Sequence, residues 1–250
     1  TCYDFQTACA LSQSDIDIIL VGDSLGNVIL GHDTTCKVNS EEMIIFGAAV
    51  KRGAPNKFTV IDMPFGTYAT TTLALENGIN IFQKTGAEAL KLEGANESTL
   101  EVIKAFINTG IPVVGHIGLT PQFYHQQGGY FTHGKSKKEK DTLIDQAIKV
   151  ERAGASLIVL ECIEQDVAAE ISNILDIPTI GIGSGDSTDG QVLVINDLLG
   201  EGPNRPPGFC RPKNNFFQQK LQTIDRYISD VKNVIPTCSG KKNELDNLYN

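Results

Sequence analysis

No apolar run in this sequence approaches the roughly 20 residues that a bilayer-spanning helix requires. The six cysteines, at 2, 9, 36, 162, 210 and 238, include no CxxC pair. That excludes the usual zinc spacing and a dense disulfide framework, so a reducing compartment, the cytoplasm, is the simple reading. Basic residues are in short supply: 21 Lys and Arg stand against 30 Asp and Glu, a net charge of −9. The balance weighs against a nucleic-acid or anionic-membrane partner, although a local basic pocket is compatible with it. No GxGxxG phosphate-binding spacing is found, and His125 and His133 lack metal-ligand spacing. The opening "TCYDF" carries no signal peptide or basic leader and reads as the tail of a strand. Residues before Thr1 are therefore expected, and an organellar leader among them is compatible with that reading.

What is present is a repeated phrase: a helical pattern, a glycine, a short apolar strand, then a polar residue. "KRGAPNKFTVIDMP" ends its strand on Asp62, "KTGAEALKLEG" on Glu93, and "RAGASLIVLEC" on Glu161, while "NTGIPVVGHIG" reaches His116. Gly53, Gly86, Gly110 and Gly154 suit left-handed positions closing the preceding helices. Asn39 or Ser40, Asn96 and Asp166 suit helix starts. Strands are expected at a stub over 1–3 and at 18–22, 58–62, 88–92, 111–115, 156–161, 178–182 and 192–196. Apolar strands alternating with helices imply parallel pairing, and eight such units imply a (β/α)₈ TIM barrel with its first strand truncated. Residues 1–200 would form this catalytic barrel. Residues 201–236, with the Pro/Gly-rich "GEGPNRPPGFCRP" just before and within them and an apolar stripe of Phe217, Leu221, Ile224, Ile228 and Val231, would form a loop and helix packed on the barrel or on a neighbouring subunit. The polar tail, 237–250, is expected to be disordered.

Parallel barrel strands end at one mouth, where such barrels keep their active sites. Asp23, Asp62, Glu93, His116 and Glu161 lie at five strand ends and would meet there. Asp23, Asp62 and Glu93 offer oxygen donors only, a set suited to a hard cation such as Mg²⁺. The bland alternative is that each acid caps a helix or pairs with a nearby lysine. Lys91 and Glu93, two residues apart, share one face of a strand, so Lys91 would hold a substrate carboxylate, stabilise an oxyanion, or simply pair with Glu93. Glu161, after the apolar "LIVL", is the candidate general base. Cys162 beside it is a weaker candidate nucleophile, a buried structural thiol being the commoner case. His116 would line the site or serve as a structural histidine, and the Ser24 hydroxyl would reach substrate. "GIGSG" (181–185) reads as a close wall of the pocket, with a phosphate cradle as the alternative.

In order along the chain stand "YD", "LVGDSLGN", "GHDTT", "RGAPN", "DMPFGTY", "KLEG", "GHIGLTPQ", "GGY", "VLEC", "IPTIGIGSG" and "TDGQVLV". Together they closely resemble the ketopantoate hydroxymethyltransferase family from Thr1 to about Gly200, and weakly beyond. The resemblance implies a barrel of the phosphoenolpyruvate/pyruvate type, assembled as a homo-oligomer, usually a decamer. It implies transfer of a one-carbon unit from 5,10-methylenetetrahydrofolate to 3-methyl-2-oxobutanoate, giving 2-dehydropantoate for pantothenate synthesis, with Mg²⁺ stabilising an enolate. By motif, Asp23, Asp62 and Glu93 would be metal ligands, with Asp23 and Asp62 also bordering the oxoacid. Ser24 and Lys91 would contact substrate, and Glu161 would accept the proton. Two rivals remain at this level: another Mg-dependent 2-oxoacid lyase or mutase on the same barrel, and a non-catalytic remnant of it.

Overall fold

The fold is described from a computed structural model, for residues 1–129 and 131–233; the 237–250 tail and Tyr130 lie outside the described residues. Seven strands form one all-parallel sheet in sequence order: β1 Ile18–Val21, β2 Phe58–Asp62, β3 Ala89–Glu93, β4 Val113–Gly118, β5 Leu157–Glu161, β6 Thr179–Ile182 and β7 Gly190–Gln191. Each pairs only with its neighbours in sequence, as a curled barrel wall requires.

Side chains alternate across this wall. Ile61, Leu90, Leu92, Val113, Ile117, Ile158 and Leu160 face outward into the larger core shared with the helices. Val60, Ala89, Val114 and Val159 form a separate buried cluster with Ile18, Leu20, Leu157, Ile180 and Ile182, the apolar filling of the barrel. Asp62, Lys91, Glu93, His116 and Glu161 have the same parity as that inner cluster and follow it along the strands. The repeat therefore delivers its ionisable residues to one end of one inward face.

The helices start and stop where their sequences direct. Asn39 and Glu42 form a capping box at the head of Ser40–Gly53, and Ser136 and Glu139 do the same for Lys137–Arg152. Asn96 caps Glu97–Thr109, and the Asp166 signal falls in the first turn of Gln165–Ile174. Gly86 and Gly110 close their helices in the left-handed conformation. Gly53 does not: it is the last helical residue, and a Cβ there would lie 2.5 Å from the Phe5 carbonyl oxygen, so close packing of Phe5–Ser12 explains it.

Three strand expectations need correction. β4 begins at Val113, not Ile111, because the Ile111 N–H turns back to the Phe106 carbonyl and Pro112 has no N–H. His116 therefore lies within the strand. The strand expected at 192–196 is the two-residue β7, followed by irregular backbone and a short helix, Ile195–Leu199. Residues 1–3 form no strand, yet the Cys2 N–H bonds to Leu20 of β1 and the Thr1 nitrogen to Leu193. This short segment thus contacts both the β1 edge and the chain just after β7.

The barrel elements form one compact unit, Thr1–Ile195, and a second begins at Asn196. In the second, Asn215 caps the helix Phe216–Lys232, Lys220 pairs with Glu201, and Leu221, Ile224, Tyr227, Ile228 and Val231 are exposed. Among the described residues no helix is long and apolar enough to cross a membrane.

Candidate active site

β1 ends at Val21 and is followed by Gly22, where a Cβ would lie 2.9 Å from Ser24 Oγ and 3.4 Å from Asp62 Oδ2. A glycine there lets the chain turn tightly enough to place Asp23 against Asp62. The Asp23 N–H donates to Asp62 Oδ2 at 3.0 Å. From β3, Lys91 Nζ reaches Asp62 Oδ1 at 3.0 Å, His116 Nδ1 at 3.3 Å and Glu93 Oε1 at 3.9 Å. His116 stands between two carboxylates, with Nδ1 3.4 Å from Glu93 Oε1 and Nε2 3.1 Å from Glu161 Oε2. Six of the seven sequence-predicted residues thus form one continuous chain of contacts. The seventh, Ser24, pairs its hydroxyl with Tyr3 Oη at 2.7 Å.

Burial divides the group. The side chains of Asp62, Lys91, Glu93 and His116 are at most 5% exposed, whereas Glu161 is 16% exposed at the rim. Glu161 does not occupy the apolar setting expected for it, since His116 adjoins it. Gly118 supports this rim: its φ is +94°, and a Cβ would lie 2.3 Å from the Glu161 carbonyl oxygen.

Burial, then repulsion by Asp62 and Glu93, holds the Asp23 carboxyl well above its usual range. Asp62 is raised by burial against the opposing pull of Lys91. Burial would also raise Glu93, but hydrogen bonding and charge from His116, with Lys91 and the Gln122 backbone N–H, bring it below the ordinary value. Burial and Lys91 pull His116 down, yet its two carboxylate neighbours prevail and lift it to about 9. Lys91 is held above its ordinary value by three carboxylates despite burial, so it stays charged. Cys162, in a left-handed conformation at φ 49°, is pushed up to about 12 by burial and by the Glu161 charge. Both effects disfavour the thiolate that a nucleophilic role would need.

Among the described residues, no three of His, Cys, Asp and Glu form a ready-made metal cage. The donor chemistry nevertheless fits a hard cation that keeps water and takes part of its shell from substrate. Among the described residues Asp62 Oδ1 is buried with the Lys91 ion pair at 3.0 Å as its polar contact, and the Gln122 amide engages Asp23 Oδ2 rather than Oδ1. With Glu161 counted, four carboxylates face two basic groups, Lys91 and His116.

Gln122 was not anticipated, although it closes the "GHIGLTPQ" motif. Its Nε2 donates to Asp23 Oδ2 at 2.9 Å and to the Met63 carbonyl at 2.8 Å, its Oε1 accepts from the Tyr68 hydroxyl at 2.6 Å, and its backbone N–H donates to Glu93 Oε2 at 3.0 Å. "GIGSG" follows β6 and is pinned to the β5 end through Ser184. Ser184 Oγ accepts from the Ile163 N–H and donates to the Leu160 carbonyl, tying β6 to β5.

Residues 1–236 match the family described as ketopantoate hydroxymethyltransferase, beyond the Gly200 limit expected from motifs. The chain is 48% identical over 233 residues to the 3-methyl-2-oxobutanoate hydroxymethyltransferase of Geobacillus sp. (strain WCH70), covering 93% of this chain and 83% of the relative. It is 46% identical over 255 residues to the enzyme of the same name from Desulfitobacterium hafniense (strain DSM 10664 / DCB-2), covering 100% of this chain and 91% of the relative. The solved structure of 2,3-dimethylmalate lyase, of the PEP mutase/isocitrate lyase superfamily, superimposes with a TM-score of 0.57 at 13% identity over 98% of this chain and 86% of that one, a likeness of fold. The match along nearly the whole sequence, at this level of identity, places the chain in the ketopantoate hydroxymethyltransferase family.

Proposed function

We propose that this chain transfers a hydroxymethyl group from 5,10-methylenetetrahydrofolate to 3-methyl-2-oxobutanoate, giving 2-dehydropantoate for pantothenate synthesis. The observation that carries the reading is the surplus of buried carboxylate around Lys91, with Glu161 alone reaching the open rim. Asp23 and Asp62, with Glu93 completing the charge, would hold Mg²⁺. When bound, that ion supplies Lewis-acid polarisation of the oxoacid ketone and carboxylate oxygens.

The chain's own groups do the rest. Glu161 takes the C3 proton, and the electron pair it leaves moves toward the C2 oxygen. Lys91, charged and fixed by Asp62, faces the negative charge that develops there. His116, held between Glu93 and Glu161, orients the base toward the mouth. Ser24, braced by Tyr3, offers a hydroxyl to the oxoacid. The methylene carbon exchanges its two C–N bonds for one bond to C3 and one to the oxygen of water, and the two released protons, one from C3 and one from water, end on the folate nitrogens as tetrahydrofolate leaves. Folate brings the carbon-transfer chemistry, and the protein supplies its position. We place the enzyme in a homo-oligomer, for which the exposed apolar stripe on Phe216–Lys232 is the available surface.

The test is exchange of the C3 proton of 3-methyl-2-oxobutanoate in D₂O, followed by NMR without folate. Exchange that requires Mg²⁺ is the expected result. Turnover with folate and oxoacid but no need for a divalent cation would sink the metal assignment. Absence of 2-dehydropantoate under all conditions would sink the reaction.

A further inference from the structure

The Gln122 amide leaves nothing unused on its donor side. One N–H goes to Asp23 on the β1 end, the other to the Met63 carbonyl just past β2, and the oxygen receives the Tyr68 hydroxyl. A flipped amide would set its oxygen against a carboxylate and a carbonyl, so the neighbours dictate its orientation. The same residue donates its backbone N–H to Glu93 on the β3 end. Gln122 is buried and follows β4, so one residue ties together what three other strands deliver. Glutamine neither ionises nor moves protons, and nothing in the proposed chemistry consumes it.

We propose that Gln122 is a positioning residue for this site. Its amide and backbone N–H fix the carboxylates of Asp23 and Glu93 in one arrangement, engaging Asp23 through Oδ2 and leaving Oδ1 to a cation or substrate. The inference rests on the metal-dependent reading above. Truncating the amide frees Asp23 to rotate and leaves the Met63 carbonyl and the Tyr68 hydroxyl without their partner. Replacing it with Glu keeps the shape and an acceptor for Tyr68, but sets a fourth carboxyl group against Asp23.

The experiment measures Mn²⁺ binding alone, from the free-Mn²⁺ electron paramagnetic resonance signal, in wild type, Gln122→Met, Gln122→Glu and Asp62→Ala. Melting in metal-free buffer is recorded alongside. Loss of a hydrogen bond to a charged group predicts Mn²⁺ binding weakened by about 10- to 100-fold in both Gln122 variants, with at least one of them folded. A folded Gln122→Met variant that binds Mn²⁺ like wild type, while Asp62→Ala does not, overturns the positioning role and upholds the metal site. Wild type that takes up no Mn²⁺ overturns both. If both Gln122 variants fail to fold, the residue is structural and the proposal falls.

Discussion

The inward face of the barrel wall has two regions built from the same strands. Its floor is Val60, Ala89, Val114 and Val159. Two residues further along each strand stand Asp62, Lys91, His116 and Glu161 at the mouth, with Glu93 beyond Lys91. One pleat, roughly 7 Å of chain, separates a dry apolar plug from a cluster of buried charge. The floor removes apolar surface from water and stabilises the fold. The mouth desolvates three carboxylates beside Lys91 and His116, with Glu161 at the rim as a fourth, so acidic groups outnumber basic ones where burial makes that costly. Stability and chemistry are thus divided along the strand axis.

The sharpest way to test that division is at the rim. Glu161→Gln preserves shape and removes the base, so kcat for C3 exchange should fall by about 10²- to 10⁴-fold. Mg²⁺-dependent oxoacid binding and the melting temperature should stay near wild type. Normal turnover in this variant would show that another group takes the proton.

The floor should answer in the opposite currency. Val60 is buried in the inner cluster, paired in register with Leu20 and Ala89. Val60→Ala removes two methyl groups and should cost about 2 kcal/mol, lowering the melting midpoint by roughly 4–8 °C. Turnover at 25 °C should hold. A large loss of activity at unchanged stability would mean that floor and mouth are coupled.

A substitution at the mouth should then reverse the sign. Asp23 is buried and repelled by Asp62 and Glu93. Asp23→Asn removes that repulsion while retaining an acceptor for Gln122, so metal-free protein should gain about 1–2 kcal/mol and lose oxoacid turnover. Scanning calorimetry in chelator checks it, and a lower midpoint than wild type would refute the repulsion.

Much of this is legible in the sequence, and the reason is periodicity. Strands buried on both faces read as continuous apolar runs, so β2, β5 and β6 fell within a residue of their expected bounds. The strand-end acids were legible because an ionisable residue closing an apolar run stands out. The run 192–196 misled because a short apolar segment cannot distinguish strand from helix, and here it covers the exit from β7 and the start of Ile195–Leu199. Gln122 was illegible for a different reason. Its partner Asp23 lies 99 residues away, it sits on a loop without periodicity, and an amide signals neither acid–base nor metal chemistry. Only the motif around it marked the place.

The smallest effect comes from a carboxylate at the other end of the wall. Asp189 Oδ2 accepts from the Thr179 N–H at 2.8 Å and its hydroxyl at 2.9 Å, where β6 begins. Those bonds hold its pKa below the ordinary value. A carboxylate lowered in the folded state stabilises above its unfolded pKa, near 3.9, and loses that contribution as pH falls through the folded value. Asp189→Asn keeps an acceptor but not the charge, so the variant should melt slightly below wild type at pH 7, by no more than about 2–4 °C for an exposed site. The gap should close toward pH 3. Asp23 also accepts a hydrogen bond, from the Gln122 amide, yet neutralising it should stabilise the protein. The opposite signs follow from surroundings alone: Asp189 is exposed and held by two donors, whereas Asp23 is buried against two other carboxylates. A gap that widened in acid would mean that Asp189 is held by something other than the charge it presents to Thr179.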